Sequence, residues 1–142
     1  MNIRKATKKD LKKITAIYCT EYAKQPYNEH WSEKTVHEHL TKDFKNCTTF
    51  VLAINNTVKG FLILNLRTWD HGKEGFIEEL VIEKLSQGQG YGRQLLNFTE
   101  NYFKKKKAKA IGLASHPQSL AFQIYKKRNY KPEEIVLMKK SL

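Results

Sequence analysis

The sequence predicts a mixed α/β domain, and three observations carry that reading. Strand-like and helix-periodic segments follow one another in the order β-α-α-β-β-β-α-β-α-β, which suits a mixed sheet with helices packed on it. Three glycines at alternate positions, Gly88, Gly90 and Gly92, separate a β-rich run from a helix-periodic one. The 142 residues are 40% hydrophobic and 11% aromatic, enough to bury a sizeable core in a single domain spanning 1–142.

Ile3 and Arg4 begin a short first strand. Thr7-Lys8-Lys9-Asp10 is a capping-box pattern. It opens a helix that turns Leu11, Ile14, Ile17, Tyr18 and Tyr22 inward. That helix should fade before Pro26, because the residue before proline avoids the α region. Ser32 is placed to cap the next helix, with Trp31 and Val36 as a hydrophobic staple across its start. Val36, Leu40 and Phe44 continue the inward face. Residues 48–54 form a strand, Asn55-Asn56 a tight turn, and 58–66 the returning strand. Residues 67–75 read as a polar loop, and the next strand starts near Phe76. Leu95, Leu96, Thr99, Tyr102 and Phe103 mark one face of the helix after the glycines. Residues 110–114 make a small apolar strand. Pro117 suits the first turn of a last helix whose inward stripe is Leu120, Ala121, Ile124 and Tyr125. Asn129 stops that helix. Residues 130–140 hold two apolar stretches, expected to supply two last strands.

Glycines before a helix let the backbone pass close to a ligand. The first-turn N–H groups and the helix dipole favour an anion there, above all a phosphate. Two common phosphate loops do not fit. No Lys-Ser/Thr follows these glycines, and Gly88-x-Gly90-x-Gly92 is one residue tighter than the dinucleotide fingerprint.

Gln87-Gly88-Gln89-Gly90-Tyr91-Gly92 does match Gln/Arg-x-x-Gly-x-Gly/Ala. It resembles the pyrophosphate loop of the GNAT superfamily of N-acetyltransferases, whose acetyl donor is acetyl-coenzyme A. The element order is also that of the GNAT fold, so the resemblance covers nearly the whole chain and is strongest over 78–130. It implies a central mixed, mostly antiparallel sheet flanked by about four helices. It places the pantetheine arm along Leu80, Val81 and Ile82, as if a peptide strand had been added. Arg93 would approach the phosphates. Lys84 stands where many relatives have proline. Ala121-x-x-x-Tyr125 followed by Asn129-Tyr130 resembles the family's Asn-x-x-Ala-x-x-x-Tyr, with Gln118 at the position of the asparagine coenzyme ligand.

The implied reaction is acetyl transfer to a primary amine of a small molecule or a protein, by direct attack in a ternary complex. An ammonium, pKa near ~10, must lose a proton first, and a carboxylate is the acceptor. The resemblance puts that role on Glu78, with Glu79 as base or counter-ion in its stead. Neighbours in a strand point to opposite faces, so both serve one site only if the strand is bulged. A backbone N–H around Ile82 would hold the oxyanion, and Tyr125 would protonate the leaving thiolate. Tyr27, Trp31, Trp69 and Asp70 are candidate walls of the amine pocket.

Twenty-six basic and 14 acidic residues give a net charge of +12, which draws the chain toward polyanions. Coenzyme A qualifies, as does RNA, so a non-catalytic basic binding module for RNA or another polyanion is the alternative. The ordered glycine loop and the lack of a recognised nucleic-acid motif weigh against nucleic acid. The lysine run 104–107 reads as the solvated end of a helix, complementing its dipole. The five histidines show no metal-ligand spacing, and no metal is expected. Cys19 and Cys47 read as buried free thiols. No membrane span or signal peptide is seen, which points to the cytoplasm. Acetyl-CoA and an amine acceptor are the expected partners, and a homodimer is compatible with the sequence.

Overall fold

Residues 48–54 and 58–64 are apolar on both faces, the pattern of strands covered on both sides. They lie in the middle of a five-stranded sheet in the computed structural model, which describes residues 1–142. The sheet order is β1 (Asn2–Lys5), β2 (Thr48–Ile54), β3 (Thr57–Trp69), β4 (Gly72–Ile82), β5 (Ala110–Leu113). The first four strands pair antiparallel, and β5 lies parallel to β4. α1 (Leu11–Tyr22) and α2 (Glu33–Asn46) cover one face, and α3 (Tyr91–Lys105) and α4 (Leu120–Lys127) cover the other.

Strand alternation divides the core in two. Val51, Phe61, Ile63 and Val81 pack under Ile14, Ile17, Val36 and Leu40 of α1 and α2. Leu52, Leu62, Leu64 and Ile77 pack under Leu95, Leu96 and Phe103 of α3 and Tyr125 of α4. Gly75 sets how closely α3 lies, because a Cβ there would sit 2.5 Å from the Phe103 ring.

Local signals placed most boundaries. Thr7 N–H donates to Asp10 Oδ2 at 2.8 Å, closing one half of the capping pattern. Asp10 also carries a two-pronged ion pair with Arg4, which holds its carboxyl well below the usual range. Ser32 Oγ accepts Thr35 N–H at 3.1 Å and starts α2. Asn55 and Asn56 both have positive φ, 49° and 60°, in the β2–β3 turn, and Asn129 stops α4 at φ 66°.

Five expectations are corrected. The loop expected over 67–75 is mostly strand: β3 runs on to Trp69 and β4 starts at Gly72, leaving Asp70 and His71 as the turn. The ladder continues because Arg67 lies over the Phe76 ring at 3.8 Å and pairs with Glu74 across the strands. Pro117 precedes α4 rather than opening it, because Ser119 takes the N-cap, accepting Phe122 N–H at 3.1 Å. Of the expected stripe Leu120 and Ile124 are exposed, while Tyr125 is buried and Ala121 packs against the core. Residues 130–140 form no strand, and Ile135, Val136, Leu137 and Met138 face solvent. Pro132 lacks a donor, and this unbroken apolar run has no period-2 face to bury. Cys19 and Cys47 are free, as expected, but half-buried.

Candidate active site

The site is built from an irregularity in β4. Ile63 pairs with Glu79 and the next residue, Leu64, pairs with Ile77, so Glu78 is an extra residue in β4. This is a β-bulge, and it brings consecutive side chains to one face. Glu78 Oε1 accepts from Asn65 Nδ2 at 3.1 Å and Arg67 NH2 at 2.9 Å. Its charge also reaches Asp43 and Cys47, on the α2 side of the sheet. Glu79 points the same way. Its Oε2 accepts the Tyr22 hydroxyl, and its Oε1 lies 3.9 Å from His39 Nε2. The bulge therefore satisfies the one condition under which both carboxylates serve a single site.

A parallel partner is lost at the same place. β5 pairs with β4 only from Glu74 to Ile77, so beyond it β4 has β3 on one side and no strand on the other. Glu83 N–H donates to the Lys59 carbonyl of β3 at 2.9 Å. Backbone groups alternate along an antiparallel ladder. Leu80 and Ile82 therefore turn their N–H groups away from β3, toward the side where β5 has ended, while Val81 faces its β3 partner. A carbonyl and two N–H groups along Leu80–Ile82 are thus offered to an added strand-like ligand. The Ile82 carbonyl itself is taken by Gln87 Nε2 at 2.8 Å.

The glycine loop follows. Gly88 and Gly90 have φ of 75° and 82°, a region that favours glycine. A Cβ added at Gly88, Gly90 or Gly92 would meet nothing within 4 Å, so the protein leaves an open cradle there. The first backbone bond of α3 runs from Gln94 N–H to the Gly90 carbonyl at 3.1 Å. The N–H groups of Tyr91, Gly92 and Arg93 are left for an anion. Gln87 turns inward rather than toward the cradle, and Gln89 Nε2 bonds the Leu85 carbonyl at 3.2 Å. Arg93 and Gln118 are exposed, and Gln118 N–H donates to His116 Nδ1 at 3.2 Å.

The cradle supplies a clean prediction. Gly92 is helical and unobstructed, and valine costs no more than glycine in a helix. Gly92→Val should therefore leave the thermal midpoint unchanged or slightly higher. A branched side chain beside the free N–H groups should weaken acetyl-CoA binding at least about tenfold, since hydrogen bonds to charged groups contribute ~1.5–3 kcal/mol each. Calorimetry against acetyl-CoA beside a melting curve checks both halves.

Above the carboxylates lies a cluster that sequence reasoning did not assemble. His39 stacks on Trp31 at 5.0 Å, and Tyr18 meets Trp31 edge-on at 5.3 Å. His39 Nε2 also lies 3.3 Å from the Tyr18 hydroxyl and 3.5 Å from Asp43 Oδ2. Trp31 Nε1 donates to Glu29 at 2.6 Å. Tyr27 packs edge-on to Tyr22 at 5.0 Å and reaches His116 in the loop before α4 at 6.3 Å. The hydrogen bond to Glu79 raises the pKa of His39 above the ordinary histidine value. Burial, then the Glu79 charge, pushes the Tyr22 phenol up. Tyr18, Tyr22, His39 and Asp43 gave no motif, because they converge from two helices. The only sequence signal was two tyrosines on an inward stripe, whose hydroxyls need partners.

Tyr125 sits on the opposite face, buried and edge-on to Tyr130 at 5.6 Å. Burial raises its pKa first, and the nearby Tyr27, Tyr130 and Glu79 raise it further. Its phenol therefore stays protonated at neutral pH, and it lies within electrostatic reach of Glu79. Trp69 and Asp70 do not join this group. They lie at the exposed β3–β4 turn, and Trp69 is six residues along β3 from the partner of Glu79, about 20 Å by strand rise.

Residues 12–130 match the acetyltransferase (GNAT) family. No curated protein sequence matches the chain. Solved structures with this fold include a transcriptional regulator from Bacillus halodurans C-125, 19% identical, with 99% of each chain covered and a TM-score of 0.81. A predicted acetyltransferase from Clostridium acetobutylicum, solved with acetyl-CoA, is 19% identical over 98% of this chain and 95% of its own, with a TM-score of 0.77. Aminoglycoside 6′-N-acetyltransferase AAC(6′)-Ig from Acinetobacter haemolyticus is 14% identical over 100% of this chain and 99% of its own, with a TM-score of 0.75. At these identities the likeness is one of fold.

Proposed function

Because this chain belongs to the acetyltransferase (GNAT) family, we propose that it is an acetyl-CoA-dependent N-acetyltransferase acting on a small cationic amine. The observation that carries this reading is the bulge in β4. It turns Glu78 and Glu79 to one face beside backbone N–H groups that no strand uses. Acetyl-CoA fits the residues present: the cradle at 88–93 for the pyrophosphate, and Leu80, Val81 and Ile82 for the pantetheine arm.

The proposed steps need no covalent enzyme intermediate. Glu79, directly or through a water, takes a proton from the acceptor ammonium. The freed amine attacks the thioester carbonyl, whose developing negative oxygen is held by a backbone N–H around Ile82. The C–S bond then breaks, and Tyr125 gives its proton to the departing thiolate. Glu79 is preferred to Glu78 as base because the Glu78 charge is already answered by Arg67, whereas Glu79 is the carboxylate whose charge Tyr125 feels.

A cationic acceptor is favoured by the walls. Glu29, Asp43, Glu78 and Glu79 gather round Tyr18, Tyr22 and Trp31 in a chain whose net charge is +12. Carboxylates and aromatic faces together suit an ammonium. One neighbour in fold is an aminoglycoside acetyltransferase, which is consistent with a small amine acceptor. The free thiols Cys19 and Cys47 suit the cytoplasm.

The test is calorimetry with acetyl-CoA, followed by acetyl transfer to a panel of mono-, di- and polyamines, aminoglycosides and lysine peptides. One molecule of acetyl-CoA per chain and transfer to small amines are expected. The exposed lysines at 104–107 favour the rival reading of a basic binding module. Tight RNA binding with no acetyl-CoA heat would establish that rival instead.

A further inference from the structure

Tyr22, which holds Glu79, is preceded in α1 by Glu21, and Glu21 holds the glycine loop. Its Oε1 accepts Lys84 N–H at 3.0 Å, and its Oε2 accepts Gln87 Nε2 at 3.1 Å. Lys24 Nζ lies 2.8 Å from the same carboxylate, whose side chain is only 12% exposed. Both donors of the Gln87 amide are thereby engaged, since the same nitrogen also donates to the Ile82 carbonyl at 2.8 Å. One turn of α1 thus touches the coenzyme loop through Glu21 and the base through Tyr22.

On the side of α1 that faces residues 83–85, this polar clasp stands in for packing, while Ile14, Ile17 and Tyr18 pack the other side into the core. A cavity of about 220 Å³ separates α1 from residues 83–85, bordered by Ala16, Ile17, Thr20 and Leu85. Leu85 itself is 87% exposed. Besides Glu21, the bond from α1 to this segment is Lys13 Nζ to Glu83 Oε2 at 2.9 Å. Lys13 lies two turns before Glu21, far from Tyr22 along the helix. Ile17 and Tyr18 anchor this end of α1 in the core, and Glu21, through Lys84 and Gln87, is what ties it to the glycine loop.

We propose that Glu21 is a positioning residue that couples the coenzyme loop to the acceptor pocket. Acetyl-CoA, by fixing residues 84–92, fixes Glu21, and through it seats Tyr22 on Glu79 and Tyr18 on Trp31. The proposal rests on the reading of the loop as the acetyl-CoA site. Coupling between two sites is reciprocal. Occupancy of the loop therefore tightens the acceptor pocket, and loss of the clasp loosens the coenzyme.

Trp31 reports the pocket without any knowledge of the acceptor. The chain has two tryptophans, and the other, Trp69, is exposed at a distant turn. In a Trp69→Phe background, acetyl-CoA titrated to saturation should shift or quench Trp31 emission. Glu21→Ala should still bind acetyl-CoA by calorimetry, roughly five- to tenfold more weakly, and the Trp31 response should vanish. A merely structural role would lower the melting temperature and leave that response in place. If Glu21→Ala does not fold, Glu21→Gln keeps the volume, turns one of the two accepting oxygens into a donor and should show the same loss. A Trp31 response that persists in the variant overturns the proposal, as does binding to the parent with no response. If the parent gives no acetyl-CoA heat, the acetyltransferase reading falls, and this coupling falls with it.

Discussion

Glu79→Gln is expected to lower kcat/KM for an amine acceptor by roughly 10²–10⁴-fold, the usual contribution of a positioned general base. The substitution keeps shape and leaves an oxygen to accept the Tyr22 hydroxyl, so the pocket should stay assembled. It removes the ability to take a proton. Glu78→Gln is the control on the same bulge. Its charge is matched by Arg67 at 2.9 Å, so its loss should be smaller and should fall mainly on KM. A larger fall in kcat for Glu78→Gln than for Glu79→Gln would exchange the two roles.

The same variant carries a stability signature whose sign is fixed by His39. Glu79 is the first cause of the raised His39 pKa. A histidine whose pKa is raised on folding adds stability that is full below its unfolded value, about 6.5, and is lost as pH climbs through the folded value. Glu79→Gln removes most of that contribution. Its melting temperature should therefore fall furthest below the parent's near pH 6 and approach it at higher pH. A gap that widens with rising pH would mean that His39 and Glu79 do not interact in solution.

How much of this was legible beforehand depended on whether a signal is local. The glycine loop, the Ser32 cap and the Asn55-Asn56 turn each depend on a few adjacent residues, and each appears where the sequence puts it. Glu78 and Glu79 could be named because they precede that loop at short range, and Tyr125 because Ala121-x-x-x-Tyr125 resembles the family pattern. The bulge could not be read, because register is set by the partner strand: only the pairing of Ile63 and Leu64 shows that Glu78 is the extra residue. The pocket walls were hidden for a related reason. Tyr22 and His39 meet Glu79 from two helices. The histidines show no ligand spacing along the chain, so nothing in the sequence singled out His39. Trp69 and Asp70 drew attention by residue type alone, and the antiparallel ladder carries them away from the pocket. The tail shows the limit of composition. An apolar run at 135–138 reads as a strand, yet a strand also needs a face to bury and a neighbour to pair with.

Tyr125→Phe is the other large effect, expected to slow turnover by roughly 10²-fold or more. The substitution deletes one hydroxyl and keeps the ring, which supplies most of the buried area against Tyr130 and the α3 face. The fold should therefore persist, and acetyl-CoA affinity should change little, because the phosphates and pantetheine are held by the loop and by β4. The buried phenol stays protonated at working pH, as its raised pKa requires, so the parent always has a proton to give. Tyr125 belongs to the α3–α4 side of the core, opposite the face that carries Glu79, so in the proposed reaction acid and base flank the reacting carbonyl and the loss should appear in chemistry rather than in binding. An unchanged steady-state rate would leave product release as a possible mask. Single-turnover measurement removes it, because it isolates the chemical step. If Tyr125→Phe matches the parent there too, the thiolate takes its proton from solvent, and Tyr125 is a core residue of α4.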